Sequence, residues 1–189
     1  MASPTYLEAL QRLDLLAVLA RFDPHVAGTP PLGLDMPGSD IDVLCHVVDA
    51  DADAFTRTVW DFASNHEQFA IHQWTGDARP VVASFKAHGW PIEIFGASRP
   101  VVQQAGWRHF TVERRLLALG GDAFRAAVME RRRGGLKTEP AFAAVLGLAG
   151  DPYFALLDVE ARSDADLVRL LNGRGFAITV AAMSTGGEK

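Results

Sequence analysis

A single cysteine, Cys45, stands among the 189 residues, so no internal disulfide can form, and no Cys/His spacing resembles a zinc site. Positive charge is not in excess either. Lys and Arg number 18 against 23 Asp and Glu, a formal net charge of −5. That balance argues against a broad, non-specific grip on nucleic acid and leaves room only for a local basic patch. No stretch approaches the roughly 18–20 apolar residues of a membrane span. The opening residues MASPTYLEALQRLDLL have neither the basic start nor the unbroken apolar run of a signal peptide. Together these absences point to a cytoplasmic protein without a membrane partner. G-x-S-x-G is missing too, which disfavours a hydrolase built on Ser39 or Asp40. There is no internal repeat and no low-complexity linker.

What is present has the make-up of a globular domain: 49% of residues are hydrophobic and 22% charged, enough to bury a real core. Ser3-Pro4 followed by Leu7, Leu10, Leu13 and Ala17 predicts an amphipathic helix over 4–21. Residues 24–38 are rich in Pro and Gly and read as a short strand plus an ordered loop. Ile41–Val48 reads as a strand, and Phe55–Ala63 as part of a second helix. QFAIHQWT, PVVASFKA and WPIEIFG read as three more extended segments, with turns at Gly76-Asp77 and His88-Gly89. From Arg99 the character becomes helical to about Phe176, with Pro100 as a first helical position and STGGEK as a frayed end. The expectation is an α/β (α+β) fold with a mixed sheet of about 4–5 strands flanked by helices, and a C-terminal helical segment. Its divisions would be a core over 1–98, a helical segment over 99–178 and a tail over 179–189.

The chemistry concentrates in AGTPPLGLDMPGSDIDVLCHVV, residues 27–48. Residues two apart on a strand share a face, so Asp40 and Asp42 would project side by side. Two carboxylates that close raise one another's pKa unless a cation sits between them. Hard oxygen donors suit Mg²⁺ or Mn²⁺, which share such sites with phosphate oxygens. Gly28-Thr29 and Gly38-Ser39 each join a flexible backbone to a hydroxyl, the ingredients of a phosphate cradle.

Written as Gly28-Thr29-x3-Gly33-x5-Ser39-Asp40-x-Asp42 before an apolar strand, the segment resembles the signature of the DNA polymerase β-like nucleotidyltransferase superfamily. The resemblance implies a third carboxylate on a neighbouring strand, and Glu93, alone between Ile92 and Ile94, meets that demand. Many relatives carry Asp there. RHFTVERRLLALGG, GLKTEPAFAAVLGL and GDPYFALL extend the likeness to a bacterial nucleotidyltransferase-like family catalogued as a domain of unknown function, over roughly residues 5–160. The superfamily part covers about 25–96.

The resemblance implies that Asp40, Asp42 and Glu93 are catalytic and hold Mg²⁺ or Mn²⁺. Gly28, Thr29, Gly38 and Ser39, with Arg108 and Lys137, would bind the phosphates of an NTP. Nucleoside monophosphate would pass to an unknown acceptor hydroxyl on a small molecule, a protein or an RNA end, releasing pyrophosphate. A non-catalytic nucleotide-binding or partner-binding module on the same fold is the alternative.

Several residues carry two readings. Arg108 falls in the apolar stripe Val101, Ala105, Val112, Leu116 and Leu119, where it meets either a structural ion pair or a ligand phosphate. His109, Glu113, Thr138 and Glu139 either line the site or serve structure, Thr138 as a helix cap. ERRRGG at 130–135 reads as a basic helix end closed by glycine, or as an RNA contact. Asp151 reads as a helix cap, Cys45 as inert packing, and Trp60, Trp74, Trp90 and Trp107 as core or rim.

Overall fold

The computed structural model describes residues 4–75 and 79–176, and these fall into two compact units, one ending at Phe110 and the other starting at Thr111. Ser3, the turn expected at Gly76-Asp77 and the tail over 179–189 lie outside the described residues.

In the first unit, the predicted helix over 4–21 is broken. Helix α1 (Tyr6–Leu13) is capped by Thr5, whose hydroxyl accepts from the Glu8 N–H while the Glu8 carboxylate accepts from the Thr5 N–H. That reciprocal capping box, not Ser3-Pro4, sets the helix start. Asp14 then turns left-handed (φ 52°), and the short α2 (Leu15–Val18) begins on a new phase. The phase change buries Ala9, Leu10, Leu15 and Leu19 and leaves Leu7 and Ala17 exposed, contrary to a single continuous stripe.

Strand β1 (His25–Ala27) leads into α3 (Thr29–Leu32), a single turn where a loop was expected; Pro30 and Pro31 fit because a first helical turn needs no N–H from them. Next come β2 (Ile41–His46), α4 (Ala52–Ala63), β3 (Glu67–Gln73), β4 (Val81–Ala87) and β5 (Trp90–Ala97). β4 and β5 form a hairpin whose turn residues His88 (φ 50°) and Gly89 (φ 84°) are both left-handed. The sheet order is β1-β2-β5-β4-β3, with β2 and β5 parallel and the other neighbours antiparallel. This is the mixed five-strand sheet the sequence predicts.

Alternation sends Ile41, Val43 and Cys45 of β2, Ile92 and Ile94 of β5, and Ala83 and Phe85 of β4 to one face. Phe55, Val59 and Ala63 of α4 pack there with Leu10, Leu15 and Leu19. Each large apolar side chain so buried contributes about 1.5–3 kcal/mol. Burial pushes the Cys45 thiol up to about 12, with Asp23 adding to the shift, so this residue is packing and not chemistry.

Pro100 does not start a helix; a tight turn over Val101–Gln103 follows it, and α5 (Ala105–Arg133) begins afterwards. Gln104 explains the delay, because its side-chain amide donates to the carbonyls of Cys45 and Arg99 and pins the chain there. Ala105 is therefore exposed, Val112 and Leu116 are buried, and Leu119 and Arg108 are half-buried.

The second unit contains the rest of α5, kinked at Gly121, then α6 (Thr138–Leu146), α7 (Pro152–Glu160) and α8 (Asp164–Asn172). Its core includes Leu116, Phe124, Val128, Phe142, Leu146, Leu156, Leu167 and Leu171. Arg115 of α5 donates to Asp164 Oδ1 and to the carbonyls of Glu160 and Arg162, fastening the α7–α8 junction. Asp151 caps α7 as predicted, accepting from the N–H groups of Tyr153 and Phe154. At α6 the cap is Lys137, through its backbone alone, and Thr138 is already helical. Arg131, Arg132 and Arg133 close α5 before Gly134-Gly135, as the basic-end reading requires.

Candidate active site

The face of the sheet opposite the α4 core carries the acids. In the parallel β2/β5 pair, Asp42 stands directly beside Glu93, one strand spacing away, about 4.8 Å. Residues paired in this way point to the same face. Across the sheet the row continues from Ala27 on β1 through Asp42, Glu93 and Ser84 to Ala70 on β3. Both acids are half-buried. Strand pairing thus brings together two carboxylates separated by about fifty residues of chain.

Gly28 makes room for the first of them. Its backbone (φ 80°, ψ −166°) lies in a region that only glycine enters readily, and a Cβ built there would overlap the Asp42 carboxylate. The group that Gly28 accommodates is thus the Asp42 carboxylate. Thr29 follows as the first residue of α3. Pro30 and Pro31 present no N–H, so at this corner Thr29 is the residue bearing both an N–H and a hydroxyl.

Ser39 closes a second turn. Its N–H donates to the Met36 carbonyl (2.8 Å), and its Oγ accepts from the Met36 N–H (2.9 Å). Pro37 and Gly38 (φ 90°) occupy the centre in the usual Pro-Gly order of a type II turn. One lone pair of the Ser39 hydroxyl is thus engaged within the loop, while its proton can be given to another acceptor.

Asp40 departs from the expectation in one respect. The strand begins at Ile41, so Asp40 sits in the exposed loop end, outside the ladder that orients Asp42. It is still near enough to act on Glu93. The Glu93 carboxyl is held above the usual glutamate range by burial first and by the Asp40 charge second, with His72 pulling the other way. Among the described residues, however, no group of three or more His, Cys, Asp or Glu side chains is gathered closely enough to hold a metal ion. The acids lie beside one another without forming a closed cage.

Register reveals three polar residues that sequence reading passed over. Ser84 lies opposite Glu93, Lys86 is one step along β4 on the same face, and His72 of β3 shares that face through its pairing with Val82. The signal was present in the alternation of PVVASFKA, whose even-numbered residues point away from the core, but only the strand order shows which acids they accompany.

Of the remaining predicted residues, Arg108 sits half-buried in the first turn of α5 within the same unit. Trp107 beside it makes an edge contact with His25 of β1 at 4.9 Å. Trp90 is half-buried, its indole N–H donating to the Pro4 carbonyl; Trp60 is exposed. Lys137 belongs to the second unit, where it is exposed. His109 is buried in the first unit and Glu113 in the second, so both are interior groups. The Glu113 carboxyl is raised well above its usual range by burial and then by Glu139, against the opposing pull of Arg132.

No curated protein matches the chain. The Cid1 poly(U) polymerase with MgGTP bound superposes at a TM-score of 0.50 and 13% identity, covering 77% of this chain and 46% of that one. The GLD-2/RNP-8 complex superposes at 0.51 and 10% identity, covering 86% and 74%. This chain therefore spans less than half the length of the Cid1 chain. At such identities the likeness establishes fold alone, a mixed sheet flanked by helices of the nucleotidyltransferase type. No helix of the described residues is long and apolar enough to cross a membrane. Residues 8–159 match the family model described as Domain of unknown function (DUF4269), and the chain belongs to that family.

Proposed function

We propose that this protein is a metal-dependent nucleotidyltransferase that moves a nucleoside monophosphate from an NTP to an acceptor hydroxyl. The observation that carries this reading is the in-register pairing of Asp42 with Glu93, with Gly28 backed against the Asp42 carboxylate. Hard carboxylate oxygens from Asp40, Asp42 and Glu93 are the donor set that Mg²⁺ or Mn²⁺ favours. Burial raises the Glu93 carboxyl first and the Asp40 charge second, and that second contribution is what a cation would relieve. When bound there, such an ion supplies charge stabilisation to phosphoryl oxygens.

The chain's own groups do the rest. Thr29 and the Gly38-Ser39 turn hold the phosphates, and Arg108 offsets their charge. Glu93, whose carboxyl holds a proton to higher pH than an ordinary glutamate, accepts the proton of the attacking hydroxyl. The acceptor oxygen bonds to the α-phosphorus as the bond to pyrophosphate breaks. Incubation with each labelled NTP and Mg²⁺ or Mn²⁺ tests this by looking for label on the protein or on a cell extract, with Asp40→Ala as control. Asp42→Asn should lower turnover by at least about a hundredfold, as loss of a main electrostatic stabiliser does. Full activity in that variant refutes the assignment.

The position of Asp40, outside the ladder that orients Asp42 and Glu93, favours a second reading, a module that binds a nucleotide without turning it over. Saturable NTP binding with no labelled product under any metal would establish it.

A further inference from the structure

At the far edge of the acid-bearing face, Trp74 is 56% exposed, although burying an indole is one of the larger apolar gains available to a chain. Its ring stands 6.3 Å from that of His72, nearly parallel at 21°. The two rings are offset and nearly parallel, and both residues are exposed at the end of β3. His72 lies on the row Leu44, Phe95, Val82, His72, next to the row that carries Asp42 and Glu93. Phe95, half-buried, and Val82, buried, complete that row between Leu44 and His72.

Strand order gives this surface a side. Gly28 and Thr29 follow the edge strand β1 and the Gly38-Ser39 turn leads into β2, whereas β3 lies beyond β5 and β4. If phosphates occupy the β1 side, as the proposed function has it, the β3 edge lies on the side of Glu93, the acid assigned to the acceptor hydroxyl. Two strand spacings, about 10 Å, separate Glu93 from β3. Lys86, on the same face one diagonal step from Glu93 and on the other side of that residue's row from His72, supplies positive charge at the acid end of this path. The overall −5 argues against a broad grip on nucleic acid, whereas a one-base stacking contact asks only for local positive charge.

We propose that His72 and Trp74 form a stacking subsite for an unpaired base of the acceptor, which makes the acceptor class a single-stranded nucleic-acid end. This inference rests on the transferase reading of the carboxylate site. It is tested on the full chain by fluorescence anisotropy with labelled single-stranded homopolymers, alongside calorimetric titration with each NTP and Mg²⁺. Trp74→Ala should weaken strand binding about tenfold, the usual scale for one stacked base, and leave NTP affinity unchanged. Trp74→Phe, which keeps an aromatic face, should recover most of the affinity.

Strand binding that is equal in Trp74→Ala and wild type, or absent in wild type, overturns the subsite; NTP labelling, if present, still upholds the carboxylate site. A Trp74→Ala defect in NTP affinity alone also overturns it, by giving the platform to the nucleotide. Failure of the wild-type protein to bind any NTP removes the transferase reading and the subsite with it.

Discussion

At the level of single residues, Gly28 and Asp42 compete for the same space, and glycine is the side chain that lets the carboxylate keep it. Gly28→Ala should therefore act twice. Forcing a Cβ into that backbone region costs of order 1–3 kcal/mol, which thermal unfolding would register, and the displaced carboxylate should abolish labelling. A gentler probe concerns Asp40. Its charge helps hold the Glu93 carboxyl up, so Asp40→Asn should lower the Glu93 pKa. A ¹³C-detected NMR titration of the glutamate carboxyls reads that shift directly. An unmoved Glu93 would place Asp40 too far away to share a site with it.

Among elements, the distinction that matters is between strands that align chemistry and helices that hold a unit together. The β2/β5 pair does the first. A one-residue slip in register would move Glu93 to the core face, and the apolar residues on either side of it forbid that. Arg115 does the second, since a single guanidinium serves the end of α7, the following loop and the start of α8 (2.6 Å to Asp164 Oδ1). Arg115→Met keeps much of the apolar stem and removes the fork. After allowance for partial exposure, it should cost about 2 kcal/mol in a urea melt. Arg115→Lys should recover only part of that, because one ammonium cannot reach three acceptors placed for a planar fork.

For the molecule as a whole, stability should carry the mark of Glu113, which is 4% exposed and raised well above its ordinary value of 4.5. Below that value the carboxyl is protonated in both folded and unfolded chains and exacts no penalty. As pH climbs from 4.5 towards the folded value, the unfolded chain loses the proton first, so stability falls. One proton limits the slope to about 1.4 kcal/mol per pH unit. Glu113→Gln should remove the decline, so that calorimetric curves of variant and wild type diverge in the variant's favour from acid towards neutral pH. Parallel curves across that window would show that Glu113 is ionised or wet in the folded chain.

The amino-acid order alone determined the kinds of element and the glycine, hydroxyl and acid array, because alternation, caps and turn residues act over a few positions. WPIEIFG announced a strand with one misplaced acid, and Asp151-Pro152 announced a helix start. It could not determine where the first helix would break, since Asp14 turns left-handed there, a conformation aspartate tolerates but no local pattern demands. Nor could it reveal that Lys86, Ser84 and His72 share a face with the acids. That follows from β5 inserting between β2 and β4, a choice made by non-local burial of Ile92 and Ile94 against Val43, Ala83 and Phe85. Tertiary structure decided which distant side chains meet, because strand neighbours are selected by the shared apolar face and not by proximity along the chain.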